Sequence, residues 1–470
     1  MPESYWESFE RGERMTAQER PWLRFYDEGI PQELVYPQVP LYRLLEEAAA
    51  RFPENVALDF LGGLGKQITY AQLLTTARRV AANLQVLGLR KGDRVALMLP
   101  NVPQYVIAYY GTLMAGGVVV NLNPLYTARE LKELLQDARP RFLVMLDFLF
   151  PLYQEVEKEV SVQVVFTTGI QDYLRFPFNL LYPIKARREG RWARLGPHPK
   201  RRRFGILTQP QAFRPVEVEG DDLAVIQYTG GTTGTPKGAT LSHRNLVANV
   251  YQVWAWMEGG KNRTDKLRLE EGKEVVLCII PFFHVYGMTV AMNLGIKQGA
   301  RLILMPRPDL KQAVALVEKR KVTLMPGVPT LYVGFNQFPG IEKRDISSIK
   351  FCISGAAPLP VEVAKRFEEL TGAKLIEGYG LSEASPVTHA NPLFGKRKVG
   401  SIGLPLPGVD AKVVDEAGNE VPTGEAGELV VRGPNVMTGY WNNSEETQKT
   451  LKDGWLHTGD IARMDEEGYF

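Results

Sequence analysis

Ten residues, Thr229-Gly-Gly-Thr-Thr-Gly-Thr-Pro-Lys237-Gly238, hold the densest set of anion-binding groups in the chain, directly after the apolar run LAVIQY. Gly230, Gly231 and Gly234 let the backbone approach a ligand, Thr229, Thr232, Thr233 and Thr235 supply hydroxyls, and Lys237 adds a positive charge. That combination suits a polyphosphate. It is not the GxxxxGK[ST] phosphate loop, because Pro236 separates Thr235 from Lys237 and Gly238 follows the lysine. Gly/Thr turns between strands are common, but ten residues of this composition ending in one lysine favour the phosphate reading.

Other clusters are weaker alone. Glu377-Gly378-Tyr379-Gly380-Leu-Ser382-Glu383 follows a strand-like run, where ligands collect in open α/β sheets. Tyr379 offers an aromatic face, Ser382 a hydroxyl, and Glu383 a hard oxygen of the kind that holds magnesium beside phosphates. Ser354-Gly355-Ala356-Ala357-Pro358 ends another such run with residues small enough to admit a flat ring. Trp455-Leu-His-Thr-Gly-Asp460 brings a carboxylate suited to a ribose diol, against the alternative of a solvated turn. Pro281-Phe-Phe-His284-Val-Tyr-Gly287 places one histidine in an apolar segment, where a structural histidine is the commoner case.

The elements that must position these groups alternate between strand-like and helical runs from about Pro40 onward, the pattern of βα units wound into parallel sheets. LYRLLEEAAARF, the run behind Thr69, TARELKELLQDA and SHRNLVANVYQVWAWM behind Ser242 read as helices. VALDF, DRVALML, RFLVMLD, VQVVFTT, EVVLCII, RLILMP, VTLMPG, KFCISG and AKLIEGYG read as strands. After about Val399 the strands become short and Gly/Pro-punctuated. The expected class is α/β: two βα-wound sheets packed together plus a small antiparallel β-barrel-like subdomain. The expected boundaries are an extension over 1–40, an α/β subdomain over 41–205, a second with the phosphate loop over 206–395, and a β-rich subdomain over 396–470. A basic connection covers about 166–215.

Composition excludes several classes. The 470 residues, 44% hydrophobic and 23% charged, are too many for one core, and a net charge of +3 is too small to argue for nucleic acid. Five scattered histidines (His198, His243, His284, His389, His457) and two distant cysteines in apolar runs, Cys278 and Cys352, give no zinc pattern and read as core thiols in a reducing compartment. The charged first twenty residues make no signal peptide, so a cytoplasmic protein is expected. Asn101 to Thr127 and Val275 to Ile296 are uncharged, but each is broken by Gly, Pro or His and read as a buried helix joined to a buried strand. Between Phe176 and Arg203, aromatic and aliphatic residues mix with Arg and Lys. The favoured reading is a mobile basic connection between subdomains, with peripheral contact to an anionic membrane the second.

With YTGGTTGTPKG, SGAAPL, IEGYGLSE and WLHTGD in this order, the chain resembles the adenylate-forming superfamily from about Leu41 to Phe470. VVVNLNPLYTARELKELLQD and NVMTGYWNNSEET resemble bacterial long-chain fatty acyl-CoA synthetases. The resemblance implies ATP-dependent activation of a long-chain fatty acid to its acyl-adenylate, with Mg2+ and with CoA as co-substrate. Thr229 to Lys237 would wrap the triphosphate and Ser382 would contact a phosphate oxygen. Glu383 would hold magnesium, while Gly355, Ala356, Ala357 and Tyr379 would line the adenine pocket and Asp460 would bind ribose. His284 matches a position near the carboxylate, and Val253, Trp254 or Trp256 is expected to face the acyl tunnel. Homodimers are common among such enzymes. The sequence stops at Asp465-Glu-Glu-Gly-Tyr-Phe470, before the family's hinge and smaller C-terminal lid domain with its adenylation lysine. The expectation is slow acyl-adenylate formation without thioester formation. An aryl-CoA ligase, an acyl-AMP ligase and a non-catalytic nucleotide- or acyl-binding remnant are the alternatives.

Overall fold

The computed structural model describes residues 15–16, 19–229, 236–259 and 263–470. The chain divides into two compact units assembled from interleaved segments, Val39–Gly238 with Glu271–Pro308, and Met1–Gln38 with Ala239–Glu270 and Asp309–Phe470. The contiguous boundaries read from the sequence do not anticipate this interleaving.

In the unit built from 39–238 and 271–308, Arg201–Arg203, Val164–Thr168, Phe142–Leu146, Arg94–Met98, Val118–Asn121 and Leu223–Thr229 pair in that order, every neighbour parallel. The inner strands are largely apolar, as expected where helices cover a parallel sheet on both faces, and Val118–Asn121 is wholly buried, whereas the edge strand Arg201–Arg203 is basic and mostly exposed. The helix Pro103–Met114 is buried along its full length and feeds that strand, as expected of the Asn101–Thr127 stretch. Thr69 and Thr127 cap Tyr70–Val86 and Ala128–Ala138 through capping boxes with Gln72 and Glu130. A second sheet joins Val275–Cys278, Arg301–Leu304 and Val56–Phe60 in parallel, with Gln67–Thr69 antiparallel at the edge. Among the described residues no helix is long and apolar enough to cross a membrane. Cys278 and Cys352 are both free and buried.

The basic stretch differs from the favoured expectation. It forms a helix over Phe178–Arg188, with Ala186 buried, and an edge strand over Arg201–Arg203, followed by the buried Phe204.

In the other unit, Phe351–Ser354 and Lys374–Gly380 run parallel, and Val387–Ala390 and Leu404–Pro405 add antiparallel strands. The run VTLMPG forms only single bridges, Leu324 to Phe351 and Gly327 to Ser354, in place of the expected strand. Pro326 lacks the N–H that a continuous ladder would use. A four-stranded antiparallel sheet orders Asp410–Val414, Gly427–Arg432, Trp455–Ala462 and Leu451–Lys452. The helix His243–Met257 is capped by Ser242 and buries Val253, Trp254 and Trp256. Trp256 is fixed by packing, its indole N–H donating to the Asn391 carbonyl at 3.1 Å and its ring meeting Tyr26 edge-on.

Candidate active site

The groups read from the sequence fall in both units. In the unit built from 39–238 and 271–308, Thr229 ends its strand half-buried, and its hydroxyl donates to the Lys237 carbonyl at 3.4 Å. Lys237 opens the strand Lys237–Ser242. Gly230, Gly231, Thr232, Thr233, Gly234 and Thr235 lie outside the described residues.

His284 sits on a tight turn, its N–H donating to the Pro281 carbonyl. Gly287 permits that turn, since a β-carbon there would lie 2.3 Å from the Pro281 oxygen. The turn rests on buried amides. Asn101 donates to the Cys278 and Ile280 carbonyls at 2.9 and 2.8 Å and accepts from the Phe282 N–H at 2.7 Å. Gln227 donates to the Phe283 carbonyl at 3.0 Å and accepts from Asn121, which in turn accepts from the Tyr105 hydroxyl. Asn101→Ala would orphan three buried backbone groups, so a loss of about 2–4 kcal/mol in urea unfolding is expected.

His284 Nδ1 accepts from the Tyr286 N–H at 3.3 Å, which places the ring proton on Nε2. The residue is exposed to solvent, while the protein packed around the ring lowers its pKa by burial. The ring is therefore a neutral Nε2–H donor at neutral pH.

In the unit holding 309–470, two motifs meet at one sheet edge. Ser354 pairs with Glu377 in parallel register, so the turns 355–357 and 378–380 leave adjacent strand ends. Ser354 is fully buried and its hydroxyl has no hydrogen-bond partner among the described residues, while Ala356 takes a left-handed φ of 69° that alanine rarely adopts. Gly355 is buried, with its N–H donated to the Gly327 carbonyl; Ala357 is exposed. Gly380 is required: a β-carbon there would lie 2.1 Å from the Pro386 carbonyl oxygen. Burial raises the pKa of Glu377, opposed by the N–H of Leu359.

Two hydrogen bonds draw in more distant residues. The Tyr379 hydroxyl donates to Asp460 Oδ2 at 2.5 Å. Burial first, then the Asp460 carboxylate, push the Tyr379 pKa well above the usual phenol range, so it remains a donor. Tyr440, which sequence reasoning did not single out, donates to Glu383 Oε1 at 2.8 Å, and the Met437 N–H binds the Glu383 carbonyl at 2.7 Å. Burial and the Glu383 carboxylate likewise raise the Tyr440 pKa far above its ordinary value. Ser382 is half-buried one residue before Glu383.

His389 was also missed. It lies opposite Tyr379 in the antiparallel pair, the ring centroids 5.9 Å apart, and burial pushes its pKa down to about 3. It backs the Tyr379 ring as a neutral group. The only sequence signal for Tyr440 is its place in NVMTGYWNN.

A magnesium ion fits this donor set. Among the described residues no cluster of three His, Cys, Asp or Glu could bind a metal alone. Glu383 is one anchored carboxylate whose Oε2 accepts no hydrogen bond among the described residues. Magnesium is commonly held by one or two carboxylates together with substrate phosphates.

The family model described as "AMP-binding enzyme" matches residues 45–441. The chain belongs to the AMP-binding enzyme family. The long-chain-fatty-acid–CoA ligase of Bacillus subtilis (strain 168) is 48% identical over 461 residues, which cover 96% of this chain and 79% of that protein. The protein of the same name from Salmonella typhimurium is 40% identical over 95% of this chain and 79% of its own length. Among solved structures, a long-chain-fatty-acid-CoA ligase (FadD1) from Archaeoglobus fulgidus superposes with a TM-score of 0.79 at 26% identity, covering 94% of this chain and 85% of that one. As a family member the chain is an adenylate-forming ligase of α/β fold.

Proposed function

We propose that this ligase activates a long-chain fatty acid with ATP, forming the acyl-adenylate and pyrophosphate, with CoA as the eventual acyl acceptor. The convergence of three distant motifs supports the reading: Ser354 registers with Glu377, and Tyr379 reaches Asp460. The relatives' names supply the substrate class.

The turn 355–357 and the Tyr379 ring would receive adenine, while Asp460 would accept from the ribose hydroxyls. Thr229 to Lys237, with Ser382, would hold the phosphates. Glu383, fixed by Tyr440, would hold the magnesium, which supplies charge neutralisation on the phosphate oxygens when bound.

A fatty carboxylate is ionised at neutral pH, so it attacks the α-phosphorus without a general base. One carboxylate oxygen forms the new P–O bond as the bond to the bridging oxygen of pyrophosphate breaks. The chain's contribution is alignment and fixed charge: Lys237 offsets charge on the phosphates, and His284 offers its Nε2–H to the carboxylate while carrying no charge of its own.

The test is acid-dependent ATP/pyrophosphate exchange across fatty acids from acetate to stearate, with 4-coumarate beside them. Exchange greatest with the longer acids is expected. A preference for 4-coumarate would replace the substrate class, and ATP binding without exchange by any acid would leave a nucleotide-binding protein. CoA thioester formation is assayed separately, so that failure at the acceptor step is not read as failure of activation.

A further inference from the structure

Glu383 lies in the short turn Ser382–Ala384, which the chain does not adopt freely. Ser385, the residue that ends it, is fully buried and holds a left-handed φ of 71°, costly for any residue with a β-carbon. Such a backbone persists only where its surroundings over-determine it. Tyr440 and the Met437 N–H hold Glu383 itself. The residues after it are held by carboxamides, and the four that form this support, Asn245, Asn249, Gln252 and Asn435, are all fully buried.

Asn435 is the link. Its Nδ2 donates to the carbonyl of Ala384, next to Glu383, at 2.8 Å and to the Val387 carbonyl at 3.4 Å. Its Oδ1 accepts from Gln252 Nε2 at 3.3 Å, so turning the amide over would set its oxygen against two carbonyls. Gln252 also donates to the Pro407 carbonyl at 3.1 Å and accepts from Asn249 at 3.0 Å. Asn249 brackets Val387, donating to its carbonyl at 2.7 Å and accepting from its N–H at 3.1 Å. One helical turn earlier, Asn245 closes the cap on Ser242 and donates to the carbonyls of Pro434 and Val436, on either side of Asn435, at 3.0 and 2.7 Å. Three of the four amides therefore stand on the helix His243–Met257 at spacings of four and three, which share a face. Every donor and acceptor of the four is used. A fully connected buried network favours one arrangement, and losing one member leaves its partners unpaired in the core.

We propose that Asn435, held by Gln252, is a positioning residue for the magnesium carboxylate, which rests on the assignment of magnesium to Glu383 in the proposed activation. Asn435 acts through the backbone of Ala384 and not through the carboxylate itself. It fixes the turn on which Glu383 stands, so the carboxylate is oriented before a metal arrives. Groups that orient a metal ligand tune the affinity of the site, and their loss commonly costs about 10- to 100-fold.

The experiment measures metal binding by the full chain. Mn2+ stands in for magnesium, and water-proton relaxation follows its binding in the presence of the non-hydrolysable α,β-methylene analogue of ATP. Wild type is compared with E383A, N435L and Q252M, and binding of the analogue without metal is measured separately by equilibrium dialysis. N435L should weaken Mn2+ binding about tenfold. Q252M removes only the restraint on the Asn435 oxygen and should cost about threefold, the worth of one hydrogen bond. Analogue binding without metal should stay within about twofold of wild type in both, since neither side chain belongs to the nucleotide pocket. Unchanged Mn2+ affinity together with a lowered urea midpoint would make the network structural only and overturn the proposal. Equal weakening of metal-free analogue binding would also overturn it, by placing the effect on the turn at Tyr379. Q252M decides the matter if N435L does not fold. Mn2+ affinity in E383A equal to that of wild type would instead remove the magnesium assignment, an outcome read without either amide variant, and the proposal would fall with it.

Discussion

Replacing Glu383 with alanine is expected to reduce palmitate-dependent ATP/pyrophosphate exchange by about a hundredfold or more, the scale of losing one preorganised electrostatic contact to the reacting phosphates. Glu383→Gln should be nearly as damaging, because the amide keeps the shape but not the charge. Position matters as well as charge. Tyr440 holds Oε1 at 2.8 Å, and the Met437 N–H fixes the backbone of the same residue. Tyr440→Phe removes that restraint but leaves the carboxylate, so exchange should fall only about three- to tenfold, the net worth of about one ordinary hydrogen bond, because the carboxylate itself still reaches the metal. Raised magnesium should recover part of the Tyr440→Phe loss and none of the Glu383→Ala loss. A purely structural role would instead show as a lowered unfolding midpoint with no magnesium dependence. Unchanged exchange in Glu383→Ala would remove this residue from the proposed chemistry.

Much of the scaffold was legible in the sequence because its signals are local. The capping boxes at Thr69 and Thr127 need only the residue three positions on, and both form. Apolar β-branched runs such as VVVN are buried on both faces wherever a parallel sheet forms. What was not legible depends on partners distant in the chain. Val56–Phe60 pairs with Arg301–Leu304 across more than two hundred residues, and no local pattern names that partner. The interleaving of the two units has the same origin.

The site divides along the same line. Motif residues such as Tyr379 and Asp460 could be selected one by one for their chemistry, but their mutual hydrogen bond spans 81 positions. Tyr440 and His389 carried no chemical signal of their own. Each matters through the group it touches, Glu383 for one and the Tyr379 ring for the other.

The Tyr379 to Asp460 bond leads to the second large effect. Asp460→Ala is expected to raise the KM for ATP by about ten- to a hundredfold with a smaller change in kcat, because hydrogen bonds from a ribose diol to a carboxylate are worth about 1.5–3 kcal/mol. Tyr379→Phe should cost less than about fivefold. It keeps an aromatic face for the base and releases Asp460 Oδ2, which the phenol otherwise occupies. The two effects should therefore be non-additive in a double-mutant cycle, since part of the Asp460 loss includes leaving the Tyr379 hydroxyl without its acceptor.

The pH dependence supplies a check of sign. The folded pKa of Tyr379 is raised above its ordinary value of 10.0, so the bond's contribution is complete below that value and fades only as the pH climbs through the higher folded one. KM for ATP should accordingly show no Tyr379-dependent inflection between neutral pH and mildly alkaline conditions. If Tyr379→Phe proved as harmful as Asp460→Ala, with KM unchanged and kcat reduced in both, the pair would be acting on the shape of the turn at Gly380 rather than on ribose. Asp460 would then be a positioning residue for the Gly378 to Gly380 segment.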